Sequence, residues 1–490
     1  MQPSPPRSVK TLDTDLGRIG LLEQATLLVA RPLVALGLSL AFIALVGLGA
    51  SAVTGGQPLS LVIVVAAVFG AYMALNIGAN DVANNMGPAV GARALTLGGA
   101  LVLAAICETA GALLAGGDVV GTVSRGIIAP ESVADSRTFI WAMLAALMSA
   151  ALWINLATWL GAPVSTTHSV IGGVMGAGIA AAGLAAVNWP VMGAIAASWV
   201  ISPLMGGALA AVFLAVINAL IIQVPDKRAA ARRWVPLLMG LMAGTFAVYM
   251  ALKGVNRLVR IDMGMALAIG LAVGTLVTLA MRPSIRRQAA VMENRNRGLK
   301  KLFATPLVFA AALLSFAHGA NDVANAVGPL AAIVHAVEAG DGSERVAIPL
   351  WVMAIGAVGL SVGLVLFGPR LIRLVGSEIT KLNAMRAWCV ALAAAITVII
   401  ASWLGLPVSS THIAIGGIFG VGFFREWYAE RVLRKDRKTA YLPIEERARR
   451  KLVRRSHLLT IVAAWVITVP ASAGLSAGLF MLLDRLTPAG

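Results

Sequence analysis

Along this chain the apolar residues neither alternate nor recur every third or fourth position. They form long, nearly unbroken runs parted by short polar stretches, at about 33–52, 59–79, 95–115, 139–160, 190–222, 234–252, 262–281, 303–320, 346–368, 386–404 and 458–483. A helix needs roughly 20 mostly apolar residues to cross the hydrocarbon core of a bilayer. The pattern therefore predicts an all-α, polytopic membrane protein with ten to twelve crossings. The first run follows some thirty polar and mixed residues, is long for a signal-peptide core and is not followed by a small-residue cleavage site, so it reads as a retained helix.

Composition agrees, with 59% of the 490 residues hydrophobic and 12% charged, where a soluble domain carries about a quarter charged residues. The net charge of +17 is no sign of a nucleic-acid partner, because the basic residues cluster between apolar runs, as the positive-inside bias of cytoplasmic loops requires. Cys107 and Cys389 both fall inside apolar runs and make no redox or metal spacing.

Two blocks of sequence occur twice. Residues 77–88 read IGANDVANNMGP and residues 318–329 read HGANDVANAVGP; residues 160–173 read LGAPVSTTHSVIGG and residues 404–417 read LGLPVSSTHIAIGG. Their order and offset match, so the chain contains a duplicated unit. Charge then orients the copies. The stretches flanking the first, 53–60 and 184–190, hold no Lys or Arg, whereas 282–301 holds Arg282, Arg286, Arg287, Arg295, Arg297, Lys300 and Lys301, and 425–455 holds about a dozen more. The middle loops agree, with Arg370, Arg373 and Lys381 in the second copy against Asp118, Glu131 and Asp135 beside Arg125 and Arg137 in the first. The two copies are thus expected to be inverted, with discontinuous or re-entrant helical segments and a site at their interface. The expected organisation is an N-terminal segment with a leading helix (1–58), a first repeat (59–189), connecting helices and a basic loop (190–302), a second repeat (303–424), a basic cytoplasmic loop (425–457) and a C-terminal helix (458–490).

Each Gly-Ala-Asn-Asp block comes at the end of an apolar run and places a carboxylate at membrane depth, where a charge costs about 2.5–3.5 kcal/mol on insertion scales. On a helix, Asn80, Asp81 and Asn84, and likewise Asn321, Asp322 and Asn325, would gather hard oxygen ligands suited to sodium or a proton. Asp81 and Asp322 are the metal ligands if sodium is the ion. The alternative is that these residues cap a helix end. In the second block Pro163 or Pro407 opens a helix, and Ser165, Thr166 and Thr167, or Ser409, Ser410 and Thr411, surround its start. Free amides and hydroxyls at such a start bind anions, and two copies could enclose one tetrahedral oxyanion; ordinary Ser/Thr capping is the plainer alternative. His168 and His412 follow these triplets and could equally satisfy a backbone carbonyl. Glu108 is a lone intramembrane carboxylate, with Leu360 near its matching position, and is a further cation or proton ligand.

At these blocks the chain resembles the inorganic phosphate transporter (Pit) family, whose hallmark is the duplicated Gly-Ala-Asn-Asp-Val-Ala-Asn segment followed by Pro-Val-Ser-[Ser/Thr]-Thr-His. The resemblance implies cation-coupled import of inorganic phosphate by alternating access. It implies phosphate contacts from Ser165, Thr166, Thr167, Ser409, Ser410 and Thr411, and cation contacts from Asp81, Asn84, Asp322 and Asn325. Glu108 matches a glutamate the family also uses, within Cys107–Gly111. The coupling ion, proton or sodium, is the expected cofactor, and phosphate, the ion and the lipid bilayer are the expected partners. The sequence leaves a homo-oligomer open, and the location is the cell's inner or plasma membrane. Sulfate is the alternative cargo. An intramembrane lipid-phosphate phosphatase would usually need a cationic clamp, and neither block contains Arg or Lys, so no enzyme is expected.

Overall fold

A computed structural model describes residues 33–55, 59–128, 132–133, 135–159, 164–254, 259–339, 348–374, 382–435 and 455–486. They form helices joined by turns, with one isolated bridge between Ile128 and Val187. The helices are α1 (Leu33–Thr54), α2 (Ser60–Gly91), α3 (Leu97–Ala115), α4 (Gly117–Gly121), α5 (Ser136–Trp159), α6 (Thr166–Ala182), α7 (Trp189–Ile217), α8 (Lys227–Lys253), α9 (Met263–Val291), α10 (Asn296–Leu302), α11 (Ala304–Ala339), α12 (Leu350–Leu374), α13 (Ala384–Trp403), α14 (Ser410–Lys435) and α15 (Arg455–Leu486). Among the described residues, 11 helices are long and apolar enough to cross a membrane. The protein is a multi-pass integral membrane protein.

Packing partners are exchanged between the halves. α2 packs on α12 as α11 packs on α3; α6 packs on α15 as α14 packs on α7; and α5 meets α15 as α13 meets α7. Glycine permits the closest of these approaches. A Cβ on Gly78 of α2 would stand 2.0 Å from the Leu360 carbonyl oxygen of α12, and one on Gly319 of α11 would stand 2.1 Å from that of Glu108 on α3. Gly78 and Gly319 hold the same place in the repeated block, so Glu108 and Leu360 are structural counterparts. The α8–α9 hairpin lies between the halves in chain order, its two helices closing on each other at Gly240, Gly244, Gly270 and Gly274.

Two expectations are corrected and one alternative falls away. The Asn-Asp blocks do not end helices: α2 and α11 run straight through them and through Pro88 and Pro329, so capping does not explain them. The second block's helix does not begin at proline. Pro407 lies outside α14, whose first residue is Ser410, and α6 begins at Thr166; Pro163 lies outside the described residues. The expected 425–457 loop is helical at its start, because α14 continues through 425–435, which hold no Gly or Pro to stop it and where the Arg431 guanidinium stacks 4.4 Å from the Trp427 ring centroid. Residues 436–454 lie outside the described residues, and α15 begins at Arg455. The first repeat's middle loop contains α4 and a π-turn, Thr122–Gly126, and then Asp135, whose Oδ1 accepts from the Thr138 amide at 2.6 Å. That bond holds the Asp135 carboxyl below the usual carboxylate range.

Candidate functional site

Helices α6 and α14 start inside the protein, at buried residues. Ser165 and Ser409 are the N-caps: Ser165 Oγ accepts from the His168 amide at 3.3 Å and Ser409 Oγ from the His412 amide at 3.4 Å. The plain capping role therefore accounts for two of the six hydroxyls. The first-turn amides of Thr166, Thr167, Ser410 and Thr411 have no acceptor within their own helices.

The Asn-Asp blocks, in mid-helix on α2 and α11, reach these starts through two kinds of bond. Within each half, Thr166 Oγ1 donates to Asp81 Oδ2 at 3.4 Å and Ser410 Oγ donates to Asp322 Oδ2 at 3.2 Å. Between halves, Asn84 Nδ2 donates to Thr411 Oγ1 at 2.8 Å and Asn325 Nδ2 to Thr167 Oγ1 at 3.0 Å. The next step breaks the symmetry, since Thr411 Oγ1 donates to Asp81 Oδ1 at 3.2 Å while Thr167 Oγ1 donates to the Val408 carbonyl at 3.1 Å. Asn321 has a holding role: it donates to Ser402 Oγ and the Leu406 carbonyl and accepts from the Val408 amide at 3.1 Å, satisfying the irregular backbone between α13 and α14. Its counterpart Asn80 is half-buried and faces no such described segment, because 160–163 lie outside the described residues.

The residue that sequence reasoning missed is His318. It opens the second block where the first has Ile77, and that mismatch was the available signal. Its side chain is fully buried, with Nε2 2.9 Å from Asp322 Oδ2 and 3.7 Å from Asp81 Oδ2, and Nδ1 3.1 Å from Glu108 Oε1. His318 thus draws Glu108 into the same cluster as the two aspartates, and Asn85 Nδ2 adds a bond to Glu108 Oε1 at 3.1 Å. Ligand atoms of Asp81, His318 and Asp322 all lie within 4.8 Å of one another, so the two aspartates form one centre. His168 and His412 are elsewhere: their rings pack at 4.9 Å, and Trp199 covers His168 at 3.9 Å while its Nε1 donates to the Pro407 carbonyl.

Charge dominates this centre. It holds Asp81, Asp322 and Glu108 against one imidazole, and among the described residues no Lys or Arg is paired with any of them. Asn85 Oδ1, Glu108 Oε2 and Asn325 Oδ1 are buried acceptors that have no hydrogen-bond partner among the described residues. Such atoms are costly unless a cation or donor meets them. Clustered carboxylate, amide and hydroxyl oxygens are the donor set of a hard cation.

Comparison with known proteins agrees with this geometry. A Helicobacter pylori (strain ATCC 700392 / 26695) protein named as a phosphate permease is 45% identical over 506 aligned positions, covering 91% of this chain and 95% of its own. A Pyrococcus abyssi protein named likewise is 36% identical, covering 85% of this chain and 96% of its own. A solved structure titled the sodium-dependent phosphate transporter superposes with a TM-score of 0.78 at 32% identity, covering 87% of this chain and 100% of that one. Residues 77–476, from the first repeated block into α15, match the phosphate transporter family, and the chain belongs to that family.

Proposed function

We propose that the protein imports inorganic phosphate together with sodium by alternating access, the two halves facing the membrane in opposite senses. The observation that carries the coupling is the excess of buried acceptors: three carboxylates meet one imidazole, and one oxygen of Glu108 and the amide oxygens of Asn85 and Asn325 are left without a partner among the described residues. An oxyanion entering such a site alone would meet strong repulsion at low dielectric. Cations at Asp81 and Asp322 offset it, so the loaded site can cross and the half-loaded site cannot. The name of the solved relative supports sodium as that cation.

The hydroxyls supply the link between ion and anion. Each hydroxyl has one proton to donate, and in this structure Thr166, Ser410 and Thr411 give theirs to Asp81 or Asp322. A sodium ion taking over the carboxylate oxygens frees those protons for phosphate, while the hydroxyl lone pairs remain available to the ion. Phosphate would then lie between the starts of α6 and α14, taking hydroxyls and first-turn amides from both halves.

Purified protein in proteoliposomes provides the test, with labelled phosphate uptake driven by a sodium gradient at equal pH or by a pH gradient without sodium. Accumulation under the sodium gradient alone is expected. Uptake indifferent to sodium would overturn the sodium-coupled reading. Excess unlabelled sulfate should not compete.

A further inference from the structure

We propose a second oxyanion site, made by Arg125 and His335 at the outer end of α11, where phosphate is captured before it reaches the central site; this rests on the import reading above. Arg125 lies in the π-turn Thr122–Gly126, and its Nη1 stands 2.8 Å from His335 Nε2. A guanidinium only donates, so Nε2 accepts and the imidazole proton sits on Nδ1. Nδ1 is buried and meets no acceptor beyond its own backbone among the described residues. The guanidinium likewise forms no ion pair with a described carboxylate. Both groups line one pocket together with Ser124, Glu338, Ile348 and Pro349. The Ser124 hydroxyl gives its proton to the Gly121 carbonyl at 3.1 Å. The donors are therefore the rest of the guanidinium fork and the imidazole N–H, and the pocket's room for about one water takes a single oxygen of a phosphate-type oxyanion.

Position gives this pocket its role. The turn carrying Arg125 is tied to the 184–190 stretch, since the Asn188 amide donates to the Ile127 carbonyl at 2.9 Å and Ile128 bridges Val187. That stretch has no Lys or Arg and belongs outside by the charge bias. His335 is ten residues beyond Asn325 on α11, about 15 Å along the helix axis. A fixed positive charge there raises the local anion concentration beside a central site that has none. Glu338 and the C-terminal end of α11 oppose an anion. They make the site one of capture and release, which suits a way station better than tight retention would.

Initial phosphate uptake against external phosphate, in sodium-driven proteoliposomes of phosphatidylcholine alone, tests the proposal. Arg125→Gln should raise KM roughly tenfold, the loss of a charge-assisted contact, with the maximal rate largely kept, and Arg125→Lys should lie between. Glu338→Gln should act in the opposite sense and lower KM, which a folding defect cannot imitate. An unchanged KM in Arg125→Gln, or a raised one in Glu338→Gln, would overturn the site while leaving sodium-driven uptake by the wild type intact. An Arg125→Gln effect seen only when phosphatidylglycerol is added would assign the pocket to a lipid headgroup and also overturn it. Failure of the central reading is a separate result, read from loss of sodium dependence in the wild type.

Discussion

His318 and Glu108 fill places that Ile77 and Leu360 fill in the other half, so the protein itself contains the apolar version of its buried histidine–carboxylate pair. The double variant His318→Ile with Glu108→Leu would install that version. Replacing a buried pair by apolar groups of similar volume is often neutral or stabilising by about 1–4 kcal/mol, whereas breaking one by removing a partner costs about 3–5 kcal/mol. Thermal unfolding in detergent is therefore expected to show the double variant near the wild type and His318→Ile alone well below it. Uptake in proteoliposomes should be lost in both; wild-type uptake by the double variant would reduce the pair to packing. The hydroxyls separate in the same way. Thr411→Ala and Thr167→Ala should each weaken phosphate binding by about 1–3 kcal/mol, measured by calorimetry. Only the first should also shift sodium dependence, because Thr411 donates to Asp81 and Thr167 to a carbonyl.

At the scale of elements, the helices were legible because long apolar runs have few other fates, and the duplicated blocks were legible as repeated words. Helix ends were not. Gly, Asn and Asp in the first block suggest a terminus by propensity, yet the segment is buried among α3, α12 and α13, and that packing overrides propensity. The last turns of α14 were read as loop because they are polar, although charged residues form helices well. The meeting of Asp81 with Asp322, or of Glu108 with His318, joins residues hundreds of positions apart, and nothing local announces it. Close helix contact at Gly319 makes the meeting possible. Gly319→Ala would drive a methyl into the Glu108 carbonyl, and overpacking of this kind typically costs 1–3 kcal/mol. It should lower the unfolding midpoint and impair uptake together, while Gly474→Ala on α15, where a Cβ meets nothing within 4 Å, should leave both unchanged.

For the whole molecule, the exchanged packing partners pair α7 with α15 as the helices that support α14 and α6. Both contain a Trp-Val-Ile triplet, at Trp199–Ile201 and Trp465–Ile467, too short a word to stand out in an apolar sequence. The inverted arrangement proposed from the flanking charges puts matching ends of the two halves on opposite sides of the membrane. Leu184, beyond the end of α6, and Glu430, near the end of its counterpart α14, are both exposed. In a background with Cys107 and Cys389 replaced, Leu184→Cys is expected to react with an impermeant maleimide in intact cells. Glu430→Cys should react only after the cells are opened. Labelling of both sites from outside would place the two halves in the same sense, and an alternating-access scheme built on their inversion would then fail, whatever the ion that drives it.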